Sequence, residues 1–201
     1  VLLDRHLEVI HALRTDDTAR RLEWTGLADA SPSFVQTVVL VEDRRFFSHR
    51  GVDFRAFVSA CVRNVTSGRL SGASTISMQV ASIIDKTLKP KRARRDLGQK
   101  WRQVLAAIAL EKKWSKEEIL ETYINLIYYR GELQGVRAAS KGLFGKEPSG
   151  LTQLESFILT SLITSPNATR ERVALRSWRL AQKTGVQITR DDVDRKTGEA
   201  L

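Results

Sequence analysis

Apolar residues recur at helical spacing along most of the chain beyond residue 30. Phe34, Val35, Val38, Val39 and Val41 share a face of a segment that Ser31 caps and Pro32 opens. Asp53 heads a second such segment, carrying Phe54, Phe57, Val58, Cys61 and Val62, and residues 66–72 follow as a loop. Trp101, Val104, Leu105 and Ile108 mark another helix. Ser115 and Glu118 then form a capping box that restarts the chain as a helix bearing Ile119, Leu120, Tyr123 and Ile124. Gly131 and Gly135 bracket a turn, and a short helix ends at Gly145. A second capping box, Thr152 with Glu155, opens a strongly apolar helix through Ile163 that Pro166 terminates. Residues 1–30 alternate only weakly and predict one or two short strands. Beyond Pro166 the pattern predicts a basic helix and a polar tail with little core. The fold class is therefore mainly α, with a short N-terminal β segment.

Composition adds a charge. The chain has 201 residues, 42% apolar and 28% charged, with a net charge of +10. Such a field favours anionic partners: nucleic acid, an anionic membrane surface or a phosphorylated substrate. Six of the ten residues from Lys86 to Arg95 are basic, and Pro90 among them breaks any continuous helix. No recognition motif for nucleic acid accompanies the charge. No apolar run approaches the ~20 residues that span a bilayer. One cysteine and three scattered histidines offer no metal-ligand cluster. The basic, aromatic-bearing stretch from Phe54 to Leu70 fits a membrane-surface element as well as an ordinary packed helix.

The candidate chemistry gathers at residues 41–53. The first helix delivers Glu42 and Asp43 side by side, and neighbours on a helix point about 100° apart. One carboxylate can therefore face a cleft while the other braces the backbone or pairs with an arginine. A carboxylate at the end of a buried helix, beside apolar rings that raise its pKa, is suited to general-base work. A solvated charge cluster is the plainer reading of these residues alone. Farther on, Ser74 and Thr75 head a helix whose N–H groups and hydroxyls can hold an anion, although such residues are more often simple caps.

These residues carry a resemblance. Glu42-Asp43-x-x-Phe46-x-x-His49-x-Gly51-x-Asp53 resembles the first signature of the family 51 peptidoglycan glycosyltransferases. Gly72-Ala-Ser-Thr75-x-x-x-Gln79 matches the second. Lys116-Glu-Glu-Ile119-Leu-x-x-Tyr123-x-Asn125 matches the fourth, continued by Gly135-x-x-Ala138-Ala139 and Phe144-Gly-Lys146. Leu154-Glu155 through Pro166 resembles the fifth. Met78, the Gly131–Gly135 turn, Leu3-Asp4-Arg5 and Lys100-x-Arg102-Gln103 resemble the penicillin-binding protein 1C branch.

The resemblance implies a lysozyme-like helical fold and a domain over residues 31–180, with 1–30 as a lead-in and 181–201 as a C-terminal tail. It implies the periplasmic face of the inner membrane, a preceding membrane anchor, and in some relatives a following transpeptidase domain. The start at Val1-Leu2-Leu3 reads as that of an excised domain. The implied substrate is lipid II, joined to a growing glycan chain with release of polyprenyl pyrophosphate. Glu42 is then the catalytic base. Asp43, Phe46, His49, Ser74, Thr75, Gln79, Lys100, Arg102, Gln103, Lys116, Tyr123 and Asn125 become substrate-binding residues. A Mg²⁺ ion at the pyrophosphate is a further candidate. Two positions depart from the family pattern: Gln103 stands where a second glutamate is usual, and Ser82 where a lysine or arginine is usual. Both leave open a module that binds lipid II or glycan without turning it over. A lysozyme-type hydrolase would use a similar glutamate, but the signatures resemble those of the polymerases.

Overall fold

A computed structural model describes residues 2–6, 9–11, 18–56, 74–88 and 97–201. The predicted N-terminal β segment is a two-stranded antiparallel pair, β1 (Leu2–Leu3) with β2 (Val9–His11). Eight helices then bear on the argument: α1 (Pro32–Glu42), α2 (Ile76–Ile84), α3 (Leu97–Glu111), α4 (Lys116–Leu126), α5 (Val136–Phe144), α6 (Gln153–Thr164), α7 (Arg170–Thr184) and α8 (Arg190–Ala200). The mainly α expectation agrees with this. A second antiparallel pair was not expected: β3 (Tyr128–Arg130) with β4 (Leu133–Gln134), turning at Gly131 with φ +52°.

The centre of the molecule is α6. Its residues from Glu155 to Ile163 are all buried, so it has no solvent face. Buried hydroxyls on such a helix need acceptors within it. Ser156 donates to the Thr152 carbonyl at 2.7 Å, and Thr160 to that of Ser156 at 2.8 Å. Helix α1 packs along one side of α6, α7 and β3 along others. Phe34, Val38, Ile76, Ile124, Tyr129 and Leu159 meet in the main core. Both predicted capping boxes are present, at Ser115–Glu118 and Thr152–Glu155.

The polar tail expected over 181–201 is instead the end of α7 followed by helix α8, packed on α5, α6 and α7. Its few apolar positions hid this from the pattern, yet Val193 is fully buried. Charge does the rest. Lys196 reaches Glu155 at 3.2 Å, and Lys146 reaches the same carboxylate at 2.9 Å. Burial opposes ionisation of Glu155, but the Thr152 N–H and hydroxyl and the two ammonium groups outweigh it and hold the pKa below the ordinary 4.5. A depressed carboxylate stabilises fully above its unfolded value and loses that contribution as pH falls through its folded value. Glu155→Gln is therefore expected to flatten the fall of stability below pH 4.5, read by urea unfolding across a pH series. A curve parallel to wild type would remove Glu155 from the acid response.

Residues 18–27 of the lead-in are pinned down by α4 and the β3–β4 hairpin. The Arg20 N–H donates to the Glu132 carbonyl at 2.7 Å, and the Gln134 N–H to the Arg20 carbonyl at 3.1 Å. Asn125 accepts from the Thr25 N–H at 2.9 Å and donates back to the Thr25 carbonyl at 2.8 Å. Glu121 accepts from the Trp24 indole at 2.7 Å and the Leu27 N–H at 3.0 Å.

Candidate active site

The end of α1 separates the two acids. Asp43 leaves the helix at φ −157°. Its carboxylate turns inward to accept from His49 Nε2 at 2.9 Å and from the Ile76 N–H, the first of α2, at 3.1 Å. Glu42 instead lines a cleft of about 1110 Å³ between α1, α2, α3 and the C-terminal end of α6. The prediction that one carboxylate faces a cleft and the other braces the backbone describes this arrangement.

Neutral donors hold Glu42. Gln79 Nε2 donates to Oε2 at 3.1 Å, and Thr164 Oγ1 donates to Oε1 at 3.2 Å. Gln79 is oriented in turn, because Tyr123 donates its hydroxyl to Gln79 Oε1 at 3.2 Å. Burial and then the Glu42 charge push the Tyr123 phenol well above 10, so it stays a donor throughout the working pH range. Among the described residues no lysine or arginine pairs with Glu42. Hydrogen bonds from neutral groups fix its position without adding a cation that would weaken it as a base.

A separate wall carries the cations. Lys100 on α3 donates to Ser74 Oγ at 2.6 Å just ahead of α2. Ser74, Ser82, Lys86 and Gln103 all line the cleft there. Ser82 donates back to the Met78 carbonyl at 2.9 Å, and Gln103 donates to the Leu88 carbonyl at 2.9 Å. Lys86 comes after the end of α2, where Asp85 is extended, and opens a short 3-10 turn through Leu88.

Several residues expected to touch substrate lie beneath the cleft, not in it. Asp43, Phe46, Thr75, Tyr123 and Asn125 are buried, and the His49 side chain is 8% exposed. Thr75 caps α2 by accepting from the Met78 N–H at 3.2 Å and donates to the Gly51 carbonyl at 2.6 Å. With the Ile76 N–H given to Asp43 and that of Met78 to Thr75, this helix start is not the open anion cradle the sequence suggested. Lys116 pairs with Glu111 at 2.6 Å and sits 4.3 Å over the Phe46 ring. Arg102 lies on the exposed face of α3 and does not line the cleft. Phe46, expected beside the base, packs edge-on against Phe47 and His49. Phe54, at the head of the stretch expected to face the membrane, is 62% exposed, and Asp53 accepts from the Ala56 N–H at 2.9 Å as its cap. Residues 57–73 and 89–96, with Cys61 and most of the basic run, lie outside the described residues.

Two participants escaped the sequence reading. Thr164 lies 122 residues from Glu42, and no local pattern joins them. Arg21 enters the cleft from the lead-in.

Comparison with known proteins places this geometry. A family model described as transglycosylase matches residues 7–188. Penicillin-binding protein 2D of Bacillus subtilis is 34% identical over 170 residues, which are 82% of this chain and 23% of that protein. Penicillin-binding protein 1C of Escherichia coli is 39% identical over 145 residues, 72% of this chain and 18% of that protein. A biosynthetic peptidoglycan transglycosylase of Mannheimia succiniciproducens is 35% identical over 160 residues, 79% of this chain and 64% of that protein. The chain thus spans about a fifth of the two penicillin-binding proteins and under two thirds of the transglycosylase. The match to the family model runs through the lead-in, the Glu42 helix and the cleft, and the chain belongs to the transglycosylase family.

Proposed function

We propose that this chain is a peptidoglycan glycosyltransferase that polymerises lipid II into β-1,4 glycan. The observation that carries the reading is Glu42, a carboxylate fixed by two neutral donors in a cleft whose other wall is cationic. The 4-hydroxyl oxygen of one sugar attacks the anomeric carbon of the other. The bond from that carbon to the pyrophosphate oxygen breaks, and the hydroxyl proton passes to Glu42. A sugar hydroxyl is a poor nucleophile, so the base must act as the bond forms. Charge accumulates on the departing polyprenyl pyrophosphate, where Lys86 and the Lys100–Ser74 pair supply cation and donor.

Mg²⁺ does not fit this wall. Its described donors are hydroxyls, an amide and ammonium groups, whereas Mg²⁺ is held by carboxylates and phosphates. Among the described residues no group of three His, Cys, Asp or Glu side chains gathers.

Labelled lipid II in detergent, followed by gel separation of products, tests the activity. A ladder of glycan chains is the expected result, and unchanged lipid II overturns it. One observation favours the alternative of a binding module: Gln103 has no carboxylate and spends its amide on the Leu88 carbonyl. Retained lipid II binding with no ladder is the outcome that selects that alternative.

Lys86 takes the part that Ser82 cannot. Lys86→Ala is expected to weaken lipid II binding roughly 10-fold. Adding Ser82→Lys to that variant should restore binding with a steeper salt dependence. Equal filter binding by wild type and Lys86→Ala would place the phosphate elsewhere.

The proposed setting is the periplasmic face of the inner membrane, with a membrane anchor and a transpeptidase domain as candidate neighbours in the whole protein. Among the described residues no helix is long and apolar enough to cross a membrane. Surface contact is instead assigned to Phe54, Trp101 and Leu105, all more than half exposed. Phe54→Ser is expected to reduce co-sedimentation with anionic vesicles. Full vesicle binding by a Phe54→Ser, Trp101→Ser, Leu105→Ser variant would remove this face from the membrane.

A further inference from the structure

Arg21 is the one cation that the lead-in sends into the cleft among the described residues. Its position is set by Gln134, a residue only 5% exposed that is itself tied at each end. Gln134 Nε2 donates to the Leu126 carbonyl at 2.6 Å, so its amide cannot turn over, and Oε1 is left facing Arg21. Arg21 donates to that oxygen through Nε. The backbone beneath is equally constrained. The Gln134 N–H is bonded to the Arg20 carbonyl, and Gly135 follows at φ +87°. A Cβ on Gly135 would stand 2.7 Å from the Asn125 carbonyl oxygen, so the hairpin is pressed against α4.

The result is an exposed guanidinium on the lining of the cleft, braced through its Nε–H. Among the described residues no carboxylate pairs with it. It is braced by a neutral amide at Nε and offers its two terminal NH₂ groups, the geometry that grips a carboxylate or phosphate in two parallel bonds. It does so on a wall built from the lead-in, β4 and the end of α4, while Ser74 stands just ahead of α2, Lys86 just after it and Lys100 on α3.

We infer that Arg21, positioned by Gln134, is a specificity residue that binds an anionic group of the substrate distinct from the departing pyrophosphate. This rests on the lipid II reading above. In that substrate the remaining anions are the carboxylates of the peptide stem, and these are the group assigned to Arg21. A second pyrophosphate, on the other of the two reacting lipids, is the same chemistry from another source.

Two substrates separate the sources: lipid II with its full peptide stem, and the same lipid with the stem removed. Arg21→Gln, assayed on the full chain, should raise KM for stem-bearing lipid II roughly 10- to 100-fold, the loss of a charge-assisted bidentate contact. It should leave KM for the stem-free lipid at the wild-type value and kcat unchanged. Arg21→Lys keeps the charge but not the fork or the Nε bond, and should fall between the two. An equal rise in KM on both lipids would assign Arg21 to a pyrophosphate and overturn the stem assignment. Unchanged KM on both would overturn the inference altogether. Failure of wild type to form glycan chains would instead strike the polymerase reading, and equilibrium binding of the two lipids to wild type and Arg21→Gln would still decide whether Arg21 reads the stem.

Discussion

Glu42→Gln is expected to lower polymerisation by about 10²–10⁴-fold while leaving lipid II binding nearly intact. The substitution keeps the shape and both neighbours. Thr164 can still donate to the amide oxygen, and Gln79 lies within reach of the other position. What disappears is the lone pair that takes the proton of the attacking hydroxyl. A glutamine there must also present an N–H toward Gln79 Nε2, which can reorient only by giving up its bond from Tyr123. Loss of rate should therefore appear in kcat, with KM little changed. Wild-type rates in Glu42→Gln would remove Glu42 as the base, and the cleft offers no second carboxylate among its described lining residues to replace it.

Much of this site was legible in the sequence because its signals are local. Ser115 with Glu118 and Thr152 with Glu155 are three residues apart, and both capping boxes formed as read. The division of labour between Glu42 and Asp43 followed from the angular step between neighbours on a helix. What the sequence could not supply is which polar residues face the cleft. Gln79 and Tyr123 lie in different signatures, and both were taken to touch substrate; only the packing of α2 on α4 shows that Tyr123 is buried and donates to Gln79. Asn125 misled for the same reason. A polar residue in a signature suggests a ligand, yet this amide closes on the backbone of Thr25, 100 residues away. Helix α8 was missed because so little of it is apolar, and its docking depends on Lys196 finding a carboxylate already buried by α6. Arg21 carried no signal at all, since its partner Gln134 lies 113 positions away.

Asp43→Ala is expected to destabilise the fold by about 3 kcal/mol, the cost of leaving two buried donors without an acceptor. The carboxylate joins three pieces that form the floor of the cleft: the end of α1, the turn carrying His49, and the head of α2. Its removal strands the Ile76 N–H. It also strands His49 Nε2, on a ring whose Nδ1 is already buried without a partner. Because Gln79 stands one turn along α2 from Ile76, loosening that helix start should also displace the donor that fixes Glu42. Activity should consequently fall further than the fraction unfolded accounts for. Asp43→Asn separates the two effects. With its amide oxygen at the Oδ2 position it can still accept from both Ile76 and His49 Nε2, and only the Oδ1 contact to His49 is replaced by an NH₂. That variant should lose less stability than Asp43→Ala and keep more activity per folded molecule. Chemical denaturation paired with the lipid II assay measures both quantities. If Asp43→Ala were as stable as wild type, the buried network under the cleft would not be what holds α1 and α2 in register; if Asp43→Asn were inactive at full stability, Asp43 would have to act on substrate directly.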